Sequence, residues 1–304
     1  MTVAWTGIYP AVTTKFKADE SLDLEAFVFN LNAQIEAGID GIIIGGSLGE
    51  ASTLDYAEKL QLLAAGKKAS NGRVPVLINI AERRTSEAIR QVQELEKAGA
   101  DGYMLLPPLN YGASDQEVVT YFKAVANATS LPIVIYNNPV DYKIGVSVEM
   151  FEELLECPNI QAVKESTRDL TNVTRLRNAF GDRLKILGGV DTLALECLVA
   201  GADGWIAGLV NAFPRETVVL YKLVKAGRIE EALAIYRWFM PLLELDIHPK
   251  LVQYIKLAEV ATGIGTEQTR APRLLLSGSE RERIQGIIKQ GLDNRPDMNT
   301  YKEL

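Results

Sequence analysis

Ala37-Gly38-Ile39-Asp40-Gly41, Ala98-Gly99-Ala100-Asp101-Gly102 and Ala200-Gly201-Ala202-Asp203-Gly204 are one five-residue junction written three times. In each, the first glycine suits the left-handed C-cap of a helix, and the residues after it re-enter a sheet. A junction reused along the chain points to one repeated βα unit. Outward from it, short apolar runs occupy 8–14, 41–45, 76–80, 102–106, 133–136, 160–164, 185–187 and 204–207. They lack polar alternation, as parallel strands buried on both faces do. Helical patterns fill the intervals at 22–37, 56–69, 86–98, 115–128, 148–156, 170–180, 192–200 and 214–225. Thr85-Ser86-Glu87, Ser114-Asp115-Gln116-Glu117 and Ser147-Val148-Glu149 put hydroxyls and carboxylates beside the unpaired amides of helix starts. Eight such units predict an α/β fold, a (β/α)8 TIM barrel. A doubly wound open sheet is the competing arrangement, but it gives no reason to stop at eight.

After Lys225 the alternation stops, and 229–245, 249–261 and 279–290 read as three further helices. The expected division is a barrel over 1–225 and a C-terminal three-helix extension over 226–304. The last residues, DNRPDMNTYKEL, are polar and are expected to be loosely held. A formal charge of −7 argues against nucleic acid as a partner. Cys157 and Cys197 are too few for a disulfide framework or a zinc site, and their apolar helical contexts predict buried, inert thiols. No run reaches the roughly 18 apolar residues of a membrane span. The N-terminal MTVAWTGIYP lacks the pattern of a signal peptide, so a cytoplasmic protein with no membrane partner is expected.

Barrel enzymes carry their reacting groups at the C-terminal ends of the strands. Those ends hold one lysine, Lys164, and on the preceding strand one tyrosine, Tyr136. An amine in an apolar barrel mouth loses hydration, which lowers its pKa and frees its lone pair to attack a carbonyl. A phenol beside the resulting imine can shuttle protons. The alternative for Lys164 is a solvated lysine, or one paired with Glu165. Gly45-Gly46-Ser47-Leu48-Gly49-Glu50 follows the second strand, either as a nest of amides for a carboxylate or as an ordinary glycine-rich turn. Gly188-Gly189 and Gly208 follow strands seven and eight, where many barrels hold a phosphate, so phosphorylated metabolites are a rival substrate class. The single histidine, His248, is read as structural at a helix start, in a loop able to reach the barrel mouth. No clustered metal ligands are visible, and no metal or cofactor is expected.

In combination, Gly46-Ser47-Leu48-Gly49-Glu50, Tyr136-Asn137-Asn138-Pro139 and Ala162-Val163-Lys164-Glu165-Ser166 resemble the dihydrodipicolinate synthase / N-acetylneuraminate lyase superfamily. The resemblance runs from about Tyr9 to the C-terminal helices. It implies an imine-forming Lys164, a proton-relaying Tyr136, and amides around Gly46, Ser47 and Leu48 that hold the carboxylate of a small 2-oxo acid. It further implies that Gly189 and Ile206 line the pyruvyl pocket, and that the protein is a homodimer or homotetramer.

The chain also departs from that pattern. Synthases of the lysine pathway carry two threonines where this chain has Ser47-Leu48, and an arginine where it has Asp141. An arginine fork suits a second carboxylate, and an aspartate repels one. Their relay tyrosine after strand four aligns with Leu109, and Tyr111 serves only if the loop shifts. Ser-Leu-Gly-Glu, Tyr-Asn-Asn-Pro-Val and the stretch from His248 to Lys256 most resemble the 1-pyrroline-4-hydroxy-2-carboxylate deaminases. That branch implies dehydration and deamination to 2,5-dioxopentanoate and ammonia without a cofactor. Asn138 and Asp141 are further candidates for substrate contact. The alternatives are a pyruvate-dependent aldolase, a 2-keto-3-deoxy sugar acid dehydratase or aldolase, and a non-catalytic keto-acid-binding barrel.

Overall fold

In a computed structural model, which describes residues 2–109 and 111–304, the eight apolar runs form one parallel sheet. Its strands are β1 (Gly7–Pro10), β2 (Ile42–Ile44), β3 (Val76–Ile80), β4 (Gly102–Leu105), β5 (Ile133–Asn137), β6 (Ile160–Glu165), β7 (Lys185–Gly188) and β8 (Gly204–Ala207). From β2 to β8 each strand pairs with the next in sequence, and β8 pairs with β1. A bridge between Ala11 and Ile43 links β1 to β2, with Val12 N donating to Ile43 O at 3.0 Å. The fold is a (β/α)8 barrel. Ile42, Ile43 and Ile44 are fully buried, each stabilising the fold by about 1.5–3 kcal/mol relative to exposure.

The helices are α1 (Leu24–Ala37), α2 (Tyr56–Ser70), α3 (Thr85–Lys97), α4 (Asp115–Ala126), α5 (Pro139–Tyr142), α6 (Val148–Leu154), α7 (Thr171–Phe180), α8 (Ala194–Val199) and α9 (Pro214–Lys225). Three more follow: α10 (Ile229–Leu243), α11 (Leu251–Thr262) and α12 (Gly278–Asp293).

The repeated junction does more than turn the chain. Gly38, Gly99 and Gly201 have φ of 95°, 96° and 106°, the left-handed conformation expected of them. The aspartate that follows then grips the preceding strand by both its groups. Asp40 N donates to Ile8 O at 2.8 Å, and Asp40 Oδ2 accepts from Ile8 N at 2.8 Å. Asp101 repeats this on Val76, and Asp203 on Ile186. The motif therefore sets the register of β2 on β1, β4 on β3 and β8 on β7.

Three expectations are corrected. The first strand ends at Pro10 rather than residue 14, because Thr13 and Thr14 leave the ladder for other partners. Thr13 N donates to Asn211 Oδ1, and Thr14 Oγ1 donates to Gly49 O. Ser114 and Ser147 cap α4 and α6 as expected, but α3 begins at Thr85 with no side-chain cap, the hydroxyl already lying inside the helix. The C-terminal residues are pinned. Arg295 donates to Glu216 at 2.5 Å, Arg228 donates to Glu303 at 3.0 Å, and Met298 is buried.

Candidate active site

Strand pairing sets Tyr136 on β5 directly beside Lys164 on β6. Lys164 is 7% exposed, and its Nζ sits 4.1 Å from the centre of the Tyr136 ring. Among the described residues it makes no hydrogen bond and no ion pair. Strand alternation turns the next side chain away. Glu165 instead accepts from Thr167 N at 2.8 Å and Asn172 Nδ2 at 2.7 Å, which removes the Lys164–Glu165 pairing from consideration. Burial lowers the pKa of the Lys164 amine, while Asp246, Tyr142, Asp191 and Asp141 pull in the opposite direction.

The β5 loop supplies the groups around it. Asn138 Nδ2 donates to Tyr136 OH at 3.0 Å and to Asp141 Oδ2 at 2.8 Å, and Asn138 Oδ1 caps α5 by accepting from Asp141 N. An accepted hydrogen bond leaves the Tyr136 proton free to be donated elsewhere. Burial pushes the Tyr136 phenol up to about 12, so it is a proton donor at neutral pH. The single turn of α5 brings a second phenol, Tyr142, edge-on to Tyr136 at 5.6 Å between ring centres. Tyr142 OH and Ser47 Oγ lie 2.5 Å apart, joining the β5 loop to the β2 loop.

In the β2 loop, Glu50 N donates to Ser47 O and Ala51 N donates to Gly46 O, both at 3.1 Å. The amides of Ser47 and Leu48 donate to no acceptor among the described residues, so this pair is available to an anion. Gly49 is obligatory here, since a Cβ would lie 2.7 Å from Val12 O.

Gly46, Ser47, Leu48, Tyr136, Asn138, Asp141, Lys164, Gly189 and Ile206 all line one cavity of about 640 Å³. A Cβ on Gly189 would come within 2.1 Å of Ser166 Oγ and 2.7 Å of Lys164 Cγ, so glycine makes room for the lysine. Tyr111 stands apart. It is 53% exposed in a separate depression with Arg83 and Thr120, and the loop shift that would bring it to Lys164 does not occur. Tyr142 stands in the cavity instead. The phosphate reading at Gly208 also fails, because the amides of Gly208 and Leu209 already donate to the Asp191 carboxylate. Among the described residues no group of three or more His, Cys, Asp or Glu could hold a metal. Both cysteines are buried, as expected.

The extension also reaches the site. His248 lines the cavity, accepts from Lys250 N at 3.1 Å and stacks on Tyr254, so the structural role and the reach over the mouth both hold. Asp246 lines the cavity too, a residue the sequence reading missed. Two buried ion pairs tie α11 beneath the mouth. Lys256 donates to Glu50 Oε1 and to Gln268 O, each at 2.6 Å, and Lys15 donates to Glu259 Oε2 at 2.5 Å.

The model of the dihydrodipicolinate synthetase family matches residues 4–291. The chain belongs to this family. It is 30% identical over 283 residues to the 4-hydroxy-tetrahydrodipicolinate synthase of Pelobacter propionicus, covering 93% of this chain and 97% of that one. It is 34% identical over 273 residues to the enzyme of the same name from Exiguobacterium sibiricum, covering 89% of this chain and 91% of that one. Its fold superposes on the 4-hydroxy-tetrahydrodipicolinate synthase of Methylacidiphilum fumariolicum with a TM-score of 0.92, 29% identity, and coverage of 97% and 98%. The dihydrodipicolinate synthase of Aquifex aeolicus gives 0.89, with 27% identity and coverage of 94% and 97%. This family member is thus an enzyme of a TIM-barrel lyase family, and no helix among its described residues is long and apolar enough to cross a membrane.

Proposed function

We propose that the protein is a lysine Schiff-base lyase that converts 1-pyrroline-4-hydroxy-2-carboxylate to 2,5-dioxopentanoate and ammonia. The observation that carries this reading is Lys164, buried in the cavity without a partner, beside Tyr136, with Asp141 where a second carboxylate would need a cation. The curated relatives carry synthase names, but Ser47-Leu48 and Asp141 depart from the residues expected of a lysine-pathway synthase.

The free amides of Ser47 and Leu48 hold the single carboxylate. The Lys164 amine adds to C2, and the C2–N bond of the ring breaks, leaving C2 as an imine of Lys164 and the ring nitrogen as an amine on C5. The imine acidifies C3, and its proton passes to water. The 4-hydroxyl leaves as water with a proton relayed through Tyr136, Tyr142 and Ser47. Tautomerisation carries the C=N to C5, where water releases ammonia, and a second water frees Lys164. One water is consumed overall.

A cavity of about 640 Å³ exceeds the need of a five-carbon acid. That room favours, as the second reading, a pyruvate-dependent aldolase or a 2-keto-3-deoxy sugar acid dehydratase using the same lysine. Incubation with the pyrroline is expected to yield ammonia and 2,5-dioxopentanoate in equal amounts, and none from Lys164→Ala. Silence with the pyrroline and turnover of a keto-deoxy sugar acid would replace the first reading by the second.

A further inference from the structure

The mechanism above leaves one carboxyl group in the cavity without a role. Asp246 comes from the turn Glu244–Ile247 between α10 and α11, outside the barrel strands, yet it lines the same cavity as Lys164. The barrel makes room for it: a Cβ on Gly208 would lie 2.0 Å from Asp246 Oδ1. Among the described residues Asp246 makes no hydrogen bond and no ion pair. Its neighbour Asp191 is different, with both oxygens engaged by Trp205 Nε1 and the amides of Gly208 and Leu209.

A carboxylate withdrawn from bulk water is stable only with a cation or several donors beside it. Asp246 has neither. Burial and the charge of Asp191 push its pKa well up, Lys164 opposes them, and Asp141 adds to them. Among the other groups at this cavity, Arg168 is exposed at the rim and His248 is engaged with Lys250 N. A donor to its oxygens is therefore left for the ligand to bring, since the Lys164 nitrogen is taken up by the imine. Lys164 itself, nine-tenths buried and unpartnered, already marks the cavity as a place where a ligand completes the bonding.

We propose that Asp246 is the specificity-determining residue of this site, receiving the nitrogen-bearing end of the substrate and turning away acids with a second carboxylate. The inference rests on the Schiff-base reading and deepens it. When Lys164 bonds C2 and the ring C2–N bond breaks, the lysine protons pass to the ring nitrogen. The C5 amine so formed takes the proton of the Asp246 carboxyl and becomes an ammonium held by the resulting carboxylate. A substrate class follows: 2-oxo acids, or their cyclic imines, that carry an amine beyond C3 and no second acid.

The test is calorimetric titration of the full-length protein with three probes. 1-Pyrroline-2-carboxylate lacks the 4-hydroxyl and stalls after ring opening, 2-oxoglutarate carries a second carboxylate, and pyruvate has nothing beyond C3. The wild type is expected to bind the pyrroline at least about tenfold more tightly than 2-oxoglutarate. Asp246→Asn, nearly isosteric, is expected to weaken the pyrroline relative to pyruvate by about tenfold and to strengthen 2-oxoglutarate. A wild type that prefers 2-oxoglutarate, or a variant with unchanged ratios, overturns the inference. Borohydride trapping of pyruvate on Lys164 then shows whether the Schiff-base reading survives alone. Loss of that adduct in the wild type removes both.

Discussion

Lys164 and Lys256 are both buried at the C-terminal mouth of the barrel, and burial lowers the pKa of both, Lys256 to about 8. They differ in what surrounds the nitrogen. Lys256 has Glu50 Oε1 and Gln268 O each at 2.6 Å, so its ammonium is held by two acceptors. Lys164 has an aromatic face at 4.1 Å and open volume before it. A depressed pKa therefore does not mark a nucleophile. An unpartnered amine with access to a ligand does, and the paired Lys256 is a tie holding α11 to the loop that carries Ser47 and Leu48.

The comparison breaks most visibly at the lysines themselves. Lys164→Ala is expected to lower turnover by about four orders of magnitude or more while changing the unfolding free energy by less than about 1 kcal/mol. Lys256→Met reverses the pattern, costing about 3–5 kcal/mol in denaturant unfolding because Glu50 stays buried with a lost partner. The folded fraction of that variant still forms the Lys164 adduct.

Smaller changes sharpen the contrast. Gly189→Ala drives a methyl group into Ser166 Oγ and the Lys164 stem, and adduct formation measured by intact mass is expected to fall about tenfold or more. Tyr142→Phe removes the Ser47 contact and is expected to lower kcat by about tenfold, with a stability change near 1 kcal/mol. The mildest effect is on pH. Because the folded pKa of Lys164 lies below the ordinary 10.5, the rate of pyruvate trapping is expected to rise with pH and level off before 10.5. In the same window the unfolded chain binds more protons, so the wild type gains stability with rising pH relative to Lys164→Met.

How much of this was legible in the sequence depends on how locally each feature is encoded. Ala-Gly-x-Asp-Gly announces a helix end and a strand start within five residues, so the barrel could be read from it. The grip of each aspartate on the preceding strand could not, because its partners Ile8, Val76 and Ile186 lie well away in sequence. Lys164 and Tyr136 were readable because the ends of barrel strands are where chemistry collects, and strand pairing set them side by side. Tyr142 was hidden by the one-turn helix that folds it back over Tyr136, although an Asn-Pro start three residues upstream signals such a turn. Asp246 was hidden more deeply, since only the docking of α10 and α11 carries its turn into the barrel mouth. The charged tail looked loose because its partners, Glu216 and Arg228, lie on and just after α9.

The central claim is that Lys164, and no other buried lysine, is the nucleophile. Borohydride reduction in the presence of pyruvate, followed by peptide mass mapping, tests it directly. The account predicts a single adduct on Lys164, absent from Lys164→Ala and present in folded Lys256→Met. An adduct on Lys15 or Lys256, or one that survives Lys164→Ala, would contradict it.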